Sequence, residues 1–143
     1  MNIGFTGTQQ GITAAQERGI LAIFESYPDA LAFYHGDCIG ADAEAHQLWV
    51  DQTNKPVHIY PCGVSGKRAF CQSAWVAAEM PPLERNRHIV DRIDVLIACP
   101  KEDNEVIRSG TWATVRYAKK KNKLIYIIYP QGKVETINLF EWY

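Results

Sequence analysis

Residues 95–111 read Val95-Leu96-Ile97-Ala98-Cys99-Pro100-Lys101-Glu102-Asp103-Asn104-Glu105-Val106-Ile107-Arg108-Ser109-Gly110-Thr111. The first five are apolar without a break, the pattern of a strand covered on both faces. A polar loop follows, and Ser109-Gly110-Thr111 opens a helix that runs through Ala118. A doubly covered strand leading through a polar turn into a helix is the repeating unit of a parallel sheet.

The same unit recurs on both sides. Asn2-Ile3-Gly4-Phe5 reads as a first strand, followed by the turn Thr6-Gly7-Thr8-Gln9-Gln10-Gly11. Thr13-Ala14-Ala15-Gln16 fits a capping box, with Ile20, Ile23, Phe24 and Tyr27 behind it at helical spacing. Leu31–Tyr34 is a second strand; it runs into His35-Gly36-Asp37-Cys38-Ile39-Gly40-Ala41-Asp42 and a helix marked by Ala45, Leu48 and Trp49. Val57–Tyr60 is a third strand. Residues 63–82 read as a loop with a short helix near Ala74–Ala78, and Leu83–Ile93 as a full helix. Leu124–Tyr129 is the fifth strand, counting Val95–Cys99 as the fourth, and the tail from Lys133 adds a strand or lies as an extended arm.

These elements predict one α/β domain over residues 1–143, Rossmann-like. Its mostly parallel sheet of about five strands has helices on both faces and the order 3-2-1-4-5, counted along the sequence. A hydrophobic share of 47% and a charged share of 22% suit such a core. No apolar run approaches the ~18 residues of a membrane span, and Met1 leads into a strand instead of a basic, then apolar leader. A cytoplasmic location is the expectation. The net charge of -1 gives no support to a nucleic-acid grip. Cys38, Cys62, Cys71 and Cys99 form no CxxC pair, and His35, His46, His58 and His88 show no metal spacing, so neither a metal nor a cofactor is expected.

Ligands of open parallel sheets bind beyond the carboxyl ends of the strands, where strand order reverses. Three turns at that edge carry glycine before a helix: Gly7-Thr8 onward, Gly36-Asp37 with Gly40-Ala41-Asp42, and Ser109-Gly110-Thr111. A helix start leaves amides unpaired and favours an anion, and glycine lets a phosphate approach the backbone. Ser109-Gly110-Thr111 is the best phosphate seat on this reasoning, although Ser109 or Thr111 also serves as a plain helix cap. Neither GxGxxG nor GxxxxGK[ST] occurs, which disfavours NAD and ATP hydrolysis. Asp37 and Asp42 are the acids nearest the site, as acceptors for ribose hydroxyls or, for Asp42, as a complement to the helix dipole. Arg85 and Arg87 flank Asn86; without a site they read as a solvated helix face.

Thr6-Gly7-Thr8, Gly36-x-x-x-Gly40-Ala41-Asp42-x-x-x-His46, Arg85-Asn86-Arg87-x-Ile89-Val90 and Ser109-Gly110-Thr111, in this order, resemble the SLOG superfamily. That group joins the DNA-processing protein A and Lonely Guy families. The resemblance covers roughly Ile3 to Pro130. It implies a Rossmann-like fold that binds nucleotides, nucleotide-derived signals or single-stranded DNA, and a homodimer. The Lonely Guy branch hydrolyses the N-glycosidic bond of nucleoside 5′-monophosphates with an arginine, matched by Arg85, and a glutamate in Gly-Gly-x-Gly-Thr-x-x-Glu. Gly110-Thr111 matches the Gly-Thr, but Thr114 stands where the glutamate would be. Threonine does not replace a carboxylate as acid or base; Asp37, Asp42 or Glu84 would have to substitute. The small single-domain members that bind or sense nucleotide ligands are the best match. The expected ligand-binding set is therefore Gly7, Thr8, Gly36, Asp37, Gly40, Asp42, Arg85, Asn86, Ser109, Gly110, Thr111 and Thr114, with Arg85 and Asp42 as the reactive pair should the protein be an enzyme. Phe140-Glu141-Trp142-Tyr143 is an aromatic tail that a dimer would help to bury.

Overall fold

The computed structural model describes residues 1–139, so the aromatic tail invoked for the dimer lies outside the described residues. The chain folds in the order β1 (Asn2–Gly7), α1 (Ala14–Ser26), β2 (Ala32–His35), α2 (Ala41–Gln52), β3 (Val57–Ile59), β4 (Trp75–Val76), α3 (Pro82–Asp91), β5 (Val95–Cys99), α4 (Gly110–Lys120), β6 (Leu124–Ile128) and β7 (Val134–Ile137). One sheet holds all seven strands in the order β4-β3-β2-β1-β5-β6-β7. The five strands read from the sequence keep the expected order 3-2-1-4-5, and all five are parallel.

The two additional strands sit at the edges. Residues near Ala74–Ala78 do not form the expected helix. Trp75 and Val76 pair in parallel with His58 and Ile59, and the Ala77 amide donates to the Ile59 carbonyl at 2.9 Å. An aromatic and a β-branched side chain suit an extended edge, and a segment of about five residues is too short to sustain a helix on its own. At the other edge, Tyr129–Gly132 turns the chain back, with Gly132 at φ 99°, and β7 runs antiparallel to β6.

Every side chain of β5 is buried, as expected of the doubly covered strand read from Val95–Cys99, and it lies inside the sheet between β1 and β6. One face packs Phe5, Phe33 and Ile97 under α1 and α2, with Phe33 stacked on Trp49 at 5.2 Å. The other packs Leu96, Ala98 and Ile125 under α3 and α4. The α1 start carries the expected box: Thr13 accepts from the Gln16 amide while the Gln16 side chain accepts from the Thr13 amide. Gln16 also donates to the carbonyls of Pro100 and Ile128, 2.9 Å each, which ties α1 to the ends of β5 and β6. Strand order reverses between β1 and β5, where Gly7 lies opposite Cys99. The chain leaves β1 toward one face and β5 toward the other, and a crevice opens there.

Candidate functional site

A cleft of about 500 Å3 opens at this reversal point, within the roughly 300–1,000 Å3 range of small-molecule sites. It gathers Gly7, Thr8, Gly36, Asp42, Arg85, Asn86, Ser109, Gly110, Thr111 and Thr114 from the expected set. It also brings in Gln9, Cys38, Cys62, Lys67, Lys101, Glu102 and Arg108, which sequence reasoning missed. Lys101, Glu102 and Arg108 sit in the loop already read as delivering the phosphate seat, so that loop's charges were the available signal.

Asp37 and Gly40 do not line the cleft, and each has a different task. Asp37, at φ 57°, is fully buried and its carboxylate is taken up by the protein. Oδ2 accepts from Arg68 Nε and Oδ1 from the Cys71 amide, both at 2.9 Å, and the Asp37 carbonyl accepts from the Ala69 amide at 2.7 Å. Burial alone would raise its pKa, but the Cys71 amide and Arg68 hold it below the ordinary carboxylate value. Asp37 therefore pins residues 67–72 beside the cleft. Gly40 caps α2 at φ 84°, where any Cβ would collide with the Gln9 carbonyl.

The phosphate seat is open as expected. Ser109 is the N-cap of α4, and its Oγ accepts from the Trp112 amide at 3.3 Å. The amides of Gly110 and Thr111 find no acceptor among the described residues. A Cβ added to Gly110 would meet nothing within 4 Å. Lys101 and Arg108 are exposed on the same rim, and neither pairs with a carboxylate among the described residues. Thr114 is buried and its hydroxyl donates to the Gly110 carbonyl at 2.8 Å, so it steadies the helix start and has no proton free for chemistry.

Arg85 is not the solvated arginine of an exposed helix face. It is 6% exposed, and its guanidinium donates to protein atoms: Nη1 to the carbonyls of Gly36 (2.7 Å) and Tyr60 (3.2 Å), Nε to Asn86 Oδ1 (2.7 Å) and Nη2 to Cys38 Sγ (3.6 Å). It thus joins α3 to the ends of β2 and β3. Because Asn86 Oδ1 is held by Arg85, its amide nitrogen is left as a donor on the cleft wall.

Asp42 is the buried acid of the cleft. Its Oδ2 accepts from the Cys38 amide at 3.1 Å. Burial lifts its pKa from 3.8 to about 6, against the opposing pull of Arg85 and of the Cys38 and Gly36 amides. Since the folded-state value lies above the unfolded one, the fold is favoured in its protonated form. Stability therefore falls as pH rises between 3.8 and about 6 and stays lower above that. A shift of this size corresponds to about 3 kcal/mol. Asp42→Asn, which keeps one acceptor and removes the charge, should gain about 2 kcal/mol at pH 8, or roughly 5 °C in Tm. The gain should vanish by pH 4. Thermal melts across that range check it, and a variant less stable than the parent at pH 8 would show that the carboxylate is held favourably.

One side-chain cluster has metal-like spacing that the sequence conceals. One ring nitrogen each of His35 and His46 and the Cys71 Sγ lie within 4.8 Å of one another. Their hydrogen bonds do not fit a metal. The Asp37 amide donates to His35 Nδ1 at 2.9 Å, so the His35 proton sits on Nε2 and points at His46 Nδ1, 2.8 Å away. A ligating imidazole would need the opposite tautomer, its outer N–H facing the Asp37 N–H. Burial, with the nearby His46, holds His35 down to about 3, and burial pushes the Cys71 thiol up to about 12. The pair is a neutral relay that continues from His46 to the Gln72 backbone and supports the segment pinned by Asp37.

No protein-family model matches the chain, and no curated protein matches it. Among solved structures it is similar to the molybdenum cofactor binding protein from the phototrophic bacterium Rippkaea orientalis. The TM-score is 0.67 at 17% identity, over 90% of this chain and 76% of that one. At that identity the likeness concerns the fold. Among the described residues no helix is long and apolar enough to cross a membrane.

Proposed function

We propose that this chain is a small member of the SLOG superfamily that binds a nucleotide or nucleotide-derived phosphorylated ligand, as a sensor and not as an enzyme. The observation that carries the reading is the α4 start, where two amides without acceptors face open cleft space across a glycine. Lys101 and Arg108 supply the counter-charge there, since the Arg85 guanidinium is taken up by protein acceptors. Asp42 and Asn86 offer an acceptor and a donor to the sugar or base, and Leu83, Pro82 and Val64 offer an apolar wall. The two opposed turns, one on each side of the reversal point, suit a ligand with a phosphate at one end and a flat base at the other.

The test is a thermal-shift screen of nucleotides, followed by calorimetry. A ligand at a hundred times its Kd should stabilise the fold by about 2.7 kcal/mol. Lys101→Ala and Arg108→Ala should each weaken a nucleotide about tenfold, the worth of one charge-assisted hydrogen bond, and leave the matching nucleoside unchanged. Equal losses on both would refute the phosphate seat.

Hydrolysis of the N-glycosidic bond is the second reading, and Asp42 is what favours it, as a cleft carboxyl with a raised pKa. Glu84 is exposed and outside the cleft, and Asp37 is committed to Arg68, so Asp42 is left of the substitutes. Chromatography that finds free base, lost in Asp42→Asn, would establish it. The fold neighbour's name adds the molybdenum cofactor to the screen.

A further inference from the structure

The wall that α3 gives to the cleft is mostly apolar. Pro82, Leu83, Asn86 and Ile89 all line it. They stand three and four residues apart, which puts them on one face of the helix. Asn86 is the polar member of that stripe, and it is half-buried.

The orientation of its amide is fixed by its neighbour. Arg85 Nε donates to Asn86 Oδ1 at 2.7 Å. A guanidinium has only donors to offer, so it is the oxygen of Asn86 and not the nitrogen that faces it. The guanidinium is itself immobile: it is 6% exposed, and Nη1 is bound to the carbonyls of Gly36 and Tyr60. Asn86 Nδ2 has no acceptor among the described residues. A free surface asparagine turns to offer donor or acceptor as a ligand requires. This one is held with its donors to the cleft.

A donor of fixed direction discriminates between the parts of a nucleotide. A ribose hydroxyl gives and accepts hydrogen bonds alike and rotates to suit its neighbour, so a locked donor adds no selectivity there. The edge of a base is rigid, with each acceptor in a fixed place. A flat ring also needs apolar side chains to lie on, and the stripe supplies Pro82 and Leu83 beside Asn86. The phosphate seat belongs to α4, the helix that packs against α3.

We propose that Asn86 reads the base of the ligand: its side-chain amide, locked as a donor by Arg85, meets a ring nitrogen or carbonyl oxygen on the edge of a base that lies along Pro82 and Leu83. The inference rests on the nucleotide reading above and assigns its base subsite. Asn86 is the specificity-determining residue, and Arg85 is a positioning residue that acts through it.

Asn86→Asp tests it, because a carboxylate keeps the bond to Arg85 and turns the group facing the cleft from donor to acceptor. Calorimetry compares the full-length parent and variant on the best-bound of the common ribonucleoside 5′-monophosphates. It then compares them on analogues with one group changed: deaza bases, in which CH replaces a ring nitrogen, bases with sulfur in place of a carbonyl oxygen, and 2′- and 3′-deoxy sugars. One of the base changes should weaken the parent at least fivefold and the variant less than twofold. The charge that aspartate adds acts on every ligand alike and cancels in this comparison. The deoxy sugars should cost parent and variant the same. If no base change costs the parent more than it costs the variant, Asn86 does not meet the base. The inference then falls and the nucleotide reading stands. Should Asn86→Asp not fold, Asn86→Ala takes its place with the same expected result, since it also removes the donor. If none of the monophosphates binds the parent, the nucleotide reading itself falls, and this inference with it.

Discussion

Arg85→Ala is expected to destabilise the fold by about 3–5 kcal/mol, the usual cost of breaking a buried charge constellation. The guanidinium is 6% exposed and donates to two carbonyls from different strands. Alanine would leave the Gly36 and Tyr60 carbonyls without donors, at about 1–3 kcal/mol for each buried group. It would also remove the cation that opposes the raised pKa of Asp42. The guanidinium fills the space around Gly36 closely: a Cβ built there would lie 2.6 Å from Arg85 Cζ. Gly36→Ala should accordingly act in the same direction by displacing the guanidinium. Arg85→Lys should recover only part of the loss, since an ammonium does not span four acceptors as a planar fork does. Adding Asp42→Asn to Arg85→Ala should return about 1 kcal/mol or more, because the stranded carboxylate is then gone. Urea unfolding of the four variants decides the matter. A loss below about 1 kcal/mol for Arg85→Ala, well inside the range of ordinary surface substitutions and small changes, would mean that the guanidinium is dispensable to the fold and free to serve a ligand.

The partners that hold Arg85 and Asp37 are hidden from the sequence for one reason. Arg85 lies in a run, Arg85-Asn86-Arg87, whose composition is that of an exposed helix face, and Asp37 lies in a glycine-bearing turn of the kind that meets ligands. What decides each is a partner far away in the chain: Gly36 lies 49 residues from Arg85, and Arg68 and Cys71 lie 31 and 34 residues from Asp37. Local pattern carries no information at that range. Where the deciding interactions are local, the sequence was legible. The apolar run Val95–Cys99 is a fully buried interior strand, Thr13 and Gln16 form the capping box within one turn, and Ser109 caps α4 by accepting from an amide three residues on. The same contrast explains the edge strand at Trp75–Val76. Two residues give no period to read, and their pairing is fixed by β3. The His35–His46 relay was hidden for a third reason. The eleven-residue spacing joins a strand to a helix, and only their packing reveals that the rings meet.

Gly110→Val is expected to abolish ligand binding, by a hundredfold or more, with the fold unchanged. Gly110 is the first residue of α4, exposed, and its φ lies outside the left-handed region, so valine is admissible to the backbone there. A β-branched residue in the first turn of an 11-residue helix costs little, and the stiffer unfolded chain offsets part of that cost. The new side chain enters space in which nothing lies within 4 Å of the Cβ position. That space is the volume in front of the Gly110 and Thr111 amides. A phosphate must come within about 3 Å of an amide nitrogen to accept its hydrogen bond, and two methyl groups on Cβ hold it beyond that distance. Losing two charge-assisted bonds of about 1.5–3 kcal/mol each gives the expected factor. Gly110→Ala supplies the graded control, since one methyl group narrows the approach without closing it; its affinity should fall between those of the parent and the valine variant. Urea midpoints for both should stay within about 0.5 kcal/mol of the parent, the usual range for exposed positions. Calorimetry with a nucleotide found in the screen, run beside its nucleoside, then separates obstruction from distortion. Obstruction removes the phosphate's share, so the valine variant should bind nucleotide and nucleoside with the same weak affinity. If it binds the nucleotide normally, the phosphate does not sit at α4. The Gly7–Thr8 turn then becomes the seat, because it lines the same cleft and its Gln9 amide is the next one there without an acceptor among the described residues.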